Sequence, residues 1–158
     1  MYLSSEIANH IRGVYFGGNW TDANFRDCLQ NISWQQATTK VHSFNTIATL
    51  VFHTSYFIAA VTQVLKGNTL QASDKLSFSH PPITCQQEWD NFINKVWEDV
   101  EVFASLIEEL SDEEFWKIFS EEKYGNYYSN LTGIIEHSHY HLGQIVLIKK
   151  ILVEENRL

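Results

Sequence analysis

The chain has 158 residues, 44% of them hydrophobic and 14% aromatic, a length and composition suited to one globular domain with its own core. Its 19 acidic and 11 basic side chains leave a formal net charge of −8, which argues against nucleic acid and against an anionic membrane surface as partners. With only 2 prolines and 7 glycines, the punctuation favours long helices over many short strands.

In chain order, Leu3, Ile7, Ile11, Val14 and Tyr15 recur at three- and four-residue steps, which predicts an amphipathic helix ended by Gly17-Gly18-Asn19. A shorter helical piece is expected from Thr21 to about Asn31. Ser33-Trp-Gln-Gln36 has the form of a capping box, in which a hydroxyl and an amide side chain satisfy orphan N–H groups at a helix start. The segment 43–66, SFNTIATLVFHTSYFIAAVTQVLK, is the most apolar in the chain. Its β-branched residues lean towards strand, but its length without Gly or Pro decides for helix.

Gly67-Asn68 closes that helix, the polar stretch to about Ser79 reads as a loop, and His80-Pro81-Pro82 as extended chain. Thr84-Cys-Gln-Gln87 is a second capping box. It opens a helix through about Leu110 whose apolar stripe is Trp89, Phe92, Ile93, Val96, Val100, Phe103 and Ile107. Ser111-Asp-Glu-Glu114 forms a third box, starting a short helix that stops before EEKYGN. The last helix runs from near Tyr128 to about Glu154. No repeat or linker divides the chain, so residues 1–158 read as one all-α domain, a four-helix bundle with short accessory helices.

No apolar run approaches the length of a membrane span, and the N-terminus has no apolar targeting segment. Cys28 and Cys85 form no C-x-x-C pair, which points to two reduced, partly buried thiols in a cytoplasmic protein.

Three histidines alternate in the run IIEHSHYHLGQI at 134–145. On a helix each residue advances about 100°, so Ile134, His137, Ile145, Ile148 and Leu152 all fall within about 40° of His141. His139 falls about 160° away, beside Gly143 and Lys150 on the outer face. The same arithmetic places His53 among Thr46, Thr49, Phe57, Ala60 and Val64 on an interior stripe of segment 43–66. His10, His42 and His80 lie near helix ends or beside prolines.

A single inward histidine is more simply a neutral, hydrogen-bonded core residue. An i,i+4 pair is harder to satisfy, because each imidazole needs a donor and an acceptor that an apolar seam seldom offers. A third inward histidine on another helix tips the balance towards a metal ion, although periodicity does not bring His53 to the other two. Three imidazoles without a fourth protein ligand form an open site of catalytic type, suited to Zn, Ni or Fe.

IIEHSHYHLGQIVLIKKIL at 134–152 resembles the C-terminal signature of the DinB-like superfamily, H-x-x-x-H followed shortly by Gly-Gln. NTIATLVFHTSYFIAAV at 45–61 resembles its first histidine-bearing helix, and KYGNYYSNLTGIIEH at 123–137 resembles the small bacterial members. The resemblance implies a four-helix bundle binding a divalent metal through His53, His137 and His141. It also implies thiol-dependent S-transfer or isomerisation, with the metal activating a low-molecular-weight thiol, and by analogy a homodimer.

The leading expectation is therefore a metal-dependent enzyme for a small-molecule substrate, by S-transfer to an electrophile or by hydrolysis. Gln144, Thr49, Tyr56 and Asn130 are candidate polar helpers near the histidine faces, whereas Glu136, about 220° from His141, is expected in solvent. A structural or sensory metal clip is the alternative, and a fourth ligand from His10 or His42 would mark it. A third reading is an interaction module built on Trp20, Trp34, Trp89, Trp97 and Trp116.

Overall fold

The computed structural model describes residues 2–155. Among them are seven α-helices and no strand: α1 (Leu3–Phe16), α2 (Phe25–Leu29), α3 (Trp34–Thr38), α4 (Ile47–Leu65), α5 (Asp74–Ser77), α6 (Gln86–Glu108) and α7 (Tyr127–Glu154). The four long ones close a ring in the order α1, α6, α4, α7, each packed on its two neighbours. This is the all-α bundle expected from the periodicity.

Helix boundaries follow the caps. The Asn24 side chain accepts from the Asp27 N–H to start α2, which is confined to five residues of the longer expected piece. Ser33 and Gln36 form the expected reciprocal box at α3. Helix α4 begins at Ile47, later than expected, because Thr46 Oγ1 accepts from the Thr49 N–H. The second box is not realised. Cys85 is the N-cap of α6, and the Glu88 carboxylate accepts from Thr84 N–H and Oγ1–H at 2.6 and 2.9 Å, holding Thr84 outside the helix. At the third, Ser111 donates N–H and O–H to Glu114, and only a 3₁₀ turn, Glu114–Trp116, follows. Its Phe115 is fully buried, so the turn serves to seat that ring. Asn126 accepts from Ser129 N–H and starts α7.

One correction concerns α4. An 18-residue stretch of this 19-residue helix has a mean hydropathy of 1.4, long and apolar enough by composition to cross a membrane, yet 61% of that stretch is buried inside the bundle. The helix is apolar on nearly every side because α6 and α7 flank it and α3 and α5 cover it. The polar stretch after it also differs from expectation: instead of a plain loop it holds the single turn α5.

The α4–α7 seam runs antiparallel. Leu50 shares a cleft with Gln144 and Ile148, His53 lies against His137 and His141, and Ala60 and Val61 lie by Ile134. Across the bundle Arg12 of α1 grips Glu101 and Glu108 of α6. Tyr15 stacks on Phe25 with ring centres 4.4 Å apart, and its hydroxyl bonds Ser138 Oγ at 3.2 Å. Burial pushes the Tyr15 phenol up to about 12, so it stays neutral and holds the rotation of α7 beside His137.

Candidate metal centre

The three selected histidines meet. One ring nitrogen each from His53, His137 and His141 lie within 4.8 Å of one another, a group that could hold a metal ion. His53 and His141 are only 5% and 7% exposed, and His137 is half-buried, so the group sits inside the α4–α7 seam. Among the described residues no carboxylate, thiol or fourth histidine joins it.

The hydrogen bonds around the rings determine where their protons are. Ser77 Oγ donates to the Asp74 carbonyl at 2.6 Å, which leaves its lone pair to accept from His53 Nδ1–H at 2.8 Å. His53 Nε2 is therefore a bare lone pair. Gln144 Oε1 accepts from His141 Nδ1–H at 2.8 Å, so His141 Nε2 is bare by the same argument. His137 Nε2 stands 3.0 Å from His53 Nε2, and without a cation it must donate its proton there, since two facing lone pairs repel.

All three imidazoles are held neutral. Burial, followed by the charges His141 and His53 would carry, lowers His137 to about 4. Burial is also the main cause for His53, ahead of His141, and for His141, where the Gln144 bond pulls in the opposite direction. A protonated cluster is thus disfavoured, and the stable occupant of three converging nitrogens is either one shared proton or one cation.

The donor set fits a borderline divalent ion. Two nitrogens ligating one zinc ion at about 2.0–2.1 Å would stand about 3.3–3.4 Å apart, between the closest separation here and the widest. Two of the three rings already donate their second N–H to an oxygen, as ligating histidines do. An aromatic shell closes the sides. Phe78 stacks on His53 at 4.0 Å between ring centres, and Phe57 stands edge-on to His53 and His137 at 5.2 and 5.3 Å.

Of the four candidate helpers, Gln144 alone touches a triad ring. Thr49 bonds the capping Thr46, and Asn130 donates to the Tyr124 and Asn126 carbonyls. Tyr56 acts at one remove, because its hydroxyl accepts from Ser73 N–H and pins the start of α5. Sequence reasoning missed Ser77 and Phe78, both in the stretch read as a loop. No periodic signal marks them, and a one-turn helix is too short to show one.

His139 stays out of the group but is not in open solvent: it is half-buried, with its ring 6.0 Å from that of His10 on α1. His10 is thus engaged elsewhere. His42 lies in an exposed turn at φ +48° beside Phe44, so neither candidate closes the site. Glu136 is exposed as expected. Cys28 is half-buried and its thiol is pushed up by burial, while Cys85 is exposed, contrary to the expected partial burial. Of the tryptophans, Trp89 is buried and donates to the Ile32 carbonyl, whereas Trp20, in the turn between α1 and α2, and Trp116, in the 3₁₀ turn, are exposed.

No family model, no curated protein and no solved structure matches the chain.

Proposed function

We propose that this protein is a divalent-metal-dependent enzyme that transfers a low-molecular-weight thiol to an electrophilic small molecule. The observation that carries the reading is the locked proton arrangement of His53 and His141, each with Nδ1–H spent on an oxygen, within a group whose three ring nitrogens lie within 4.8 Å of one another. A purely structural histidine cluster has no need of two rings whose Nδ1–H groups are each tied to an oxygen, leaving the opposite nitrogen of each free to accept.

When bound, a divalent ion supplies Lewis acidity that favours thiolate over thiol at neutral pH. The chain's own part is to hold the donors. Ser77 and Gln144 fix two rings, and His137 would hold an ion through Nε2 only in the tautomer that carries its proton on Nδ1. Phe57 and Phe78 exclude water from the sides of the cluster. In the transfer itself the sulfur–carbon bond forms as the carbon's bond to its leaving group breaks, and the thiol proton ends on the displaced group. A homodimer in the cytoplasm belongs to the same proposal.

Elemental analysis of tag-free protein, beside His53→Ala, His137→Ala, His141→Ala and His139→Ala, tests the site. One ion per chain, lost in the first three and kept in the fourth, supports it. Activity towards an epoxide or aryl halide that needs added thiol supports transfer. Activity that proceeds equally without thiol would assign hydrolysis instead.

A further inference from the structure

A cleft of about 350 Å³ opens beside the triad, between the turn at 43–45 and helices α4 and α7. Phe44, Leu50, Leu147 and Ile148 supply its apolar wall, and no charged side chain lines it. Leu50 and Ile148 form its buried floor at 2% and 3% exposure. Phe44 and Leu147 form its rim and are left 44% and 54% exposed, apolar surface that an occupant would cover. The size lies at the lower end of the ~300–1,000 Å³ range of small-molecule sites.

Gln144 belongs to both places. Its carbonyl oxygen is committed to His141 Nδ1–H, while it also lines the cleft. An amide nitrogen carries two N–H donors, and no other described group accepts from this one. The cleft therefore offers an apolar wall, the neutral polar residues Ser43 and Asn45 at its turn side, and the fixed Gln144 donor, with no ionised side chain to pair with a charge. Burying an ion there would cost far more than burying a neutral group of the same shape.

We propose that this cleft binds an uncharged, mainly apolar small molecule carrying one hydrogen-bond acceptor, such as a carbonyl or an epoxide oxygen, which accepts from Gln144 Nε2–H. In an enzyme of the kind proposed above, this molecule is the electrophile; that role rests on the metal reading, whereas binding itself does not. The thiol approaches separately, at the three nitrogens. Gln144 then couples the two, because the amide that orients His141 also orients the substrate.

The test is a titration of ¹³C,¹⁵N-labelled protein followed by NMR. Acetanilide is the neutral probe, with benzoate and benzylammonium as charged counterparts of similar size. Acetanilide should saturably shift the Gln144 side-chain amide pair and the Leu50 and Leu147 methyl signals, with both ions about tenfold weaker or worse. Leu147→Glu, at an exposed rim position where folding is not at risk, should weaken acetanilide by about tenfold or more. Gln144→Leu should weaken it while the apolar wall stays intact. Shifts elsewhere on the surface, no shift up to the solubility limit of acetanilide, or equal binding by Leu147→Glu would overturn the proposal. Elemental analysis of the same samples separates the two readings. Metal retained without cleft binding refutes the cleft alone, and cleft binding without metal refutes the triad alone.

Discussion

Ser77 Oγ accepts the Nδ1 proton of His53 at 2.8 Å and passes its own hydrogen to the Asp74 carbonyl at 2.6 Å. A hydroxyl that is already donating can only accept from the ring, so this short chain sets the tautomer of the one triad residue contributed by α4. Ser77→Ala should therefore weaken Zn²⁺ binding about 10- to 100-fold while costing stability only about 1 kcal/mol. Calorimetric titration with Zn²⁺ and thermal melts of the same protein separate the two effects. Ser77→Thr, which keeps the hydroxyl, should recover most of the affinity. Wild-type affinity in Ser77→Ala would show that the tautomer is fixed by something else.

The depressed histidines make a pH prediction with a definite sign. An unfolded chain takes up protons at the ordinary histidine value of about 6.5, whereas His137 in the fold does so only at about 4, with His53 and His141 lowered too. Between those limits the unfolded state binds more protons, so the metal-free protein loses stability as pH falls from about 6.5 towards 4. Above that window these groups are neutral in both states and contribute no slope. Melting temperatures of chelated protein in steps from pH 8 to pH 4.5 should stay level and then decline. A midpoint indifferent to pH down to 4.5 would contradict the buried, neutral cluster. His137→Phe should flatten the decline.

How much of this was legible beforehand differs from one residue to the next. Helical phase alone turned His137 and His141 inward together and kept His139 away from them, because the buried neighbours Ile134, Ile145, Ile148 and Leu152 fix the rotation of α7. Phase also put His53 on an inner stripe. It could not supply the α4–α7 register, which depends on where Thr46 and Asn126 start their helices and on packing between segments far apart in the chain. Ser77 lay beyond reach for another reason. An isolated four-residue helix has no stability of its own, and α5 exists because Tyr56 holds Ser73 and Ser77 meets His53. The failed box at Thr84 has a simpler cause, since Glu88 competes for the same groups that Gln87 was expected to satisfy.

Arg12 offers a control outside the site. Its Nη1 and Nη2 donate to the two oxygens of Glu108 at 2.6 and 3.1 Å, and its Nε donates to Glu101 at 2.9 Å. Both carboxylates are substantially solvent-exposed, so the clasp of α1 onto α6 is worth little more than a surface network. Arg12→Lys, which cannot present the planar fork, should destabilise by about 0.5–1 kcal/mol, with a smaller difference at high salt. Its metal content should be unchanged. A variant that loses the ion would mean that the packing of α1 controls the triad more tightly than the contacts indicate.

Removal of the ion distinguishes an enzyme from a metal clip. The largest fully buried side chains include Tyr15, Phe25, Phe103, Phe115, Ile11 and Ile58, contributed by α1, α2, α4, α6 and the 3₁₀ turn. This core needs no ion to close it, unlike small domains that fold only around a metal. Chelation should therefore leave the helical far-ultraviolet signal intact and lower the melting temperature by a limited amount. The stability lost should grow with the free ion concentration used for the holo sample, reaching about 2.7 kcal/mol when the ion is at 100 times its dissociation constant. Thiol-transfer activity, by contrast, should vanish on chelation and return with the ion. Loss of helix on chelation would make the three histidines a structural clip. A protein that keeps both fold and activity after complete metal removal would sever the triad from the reaction altogether.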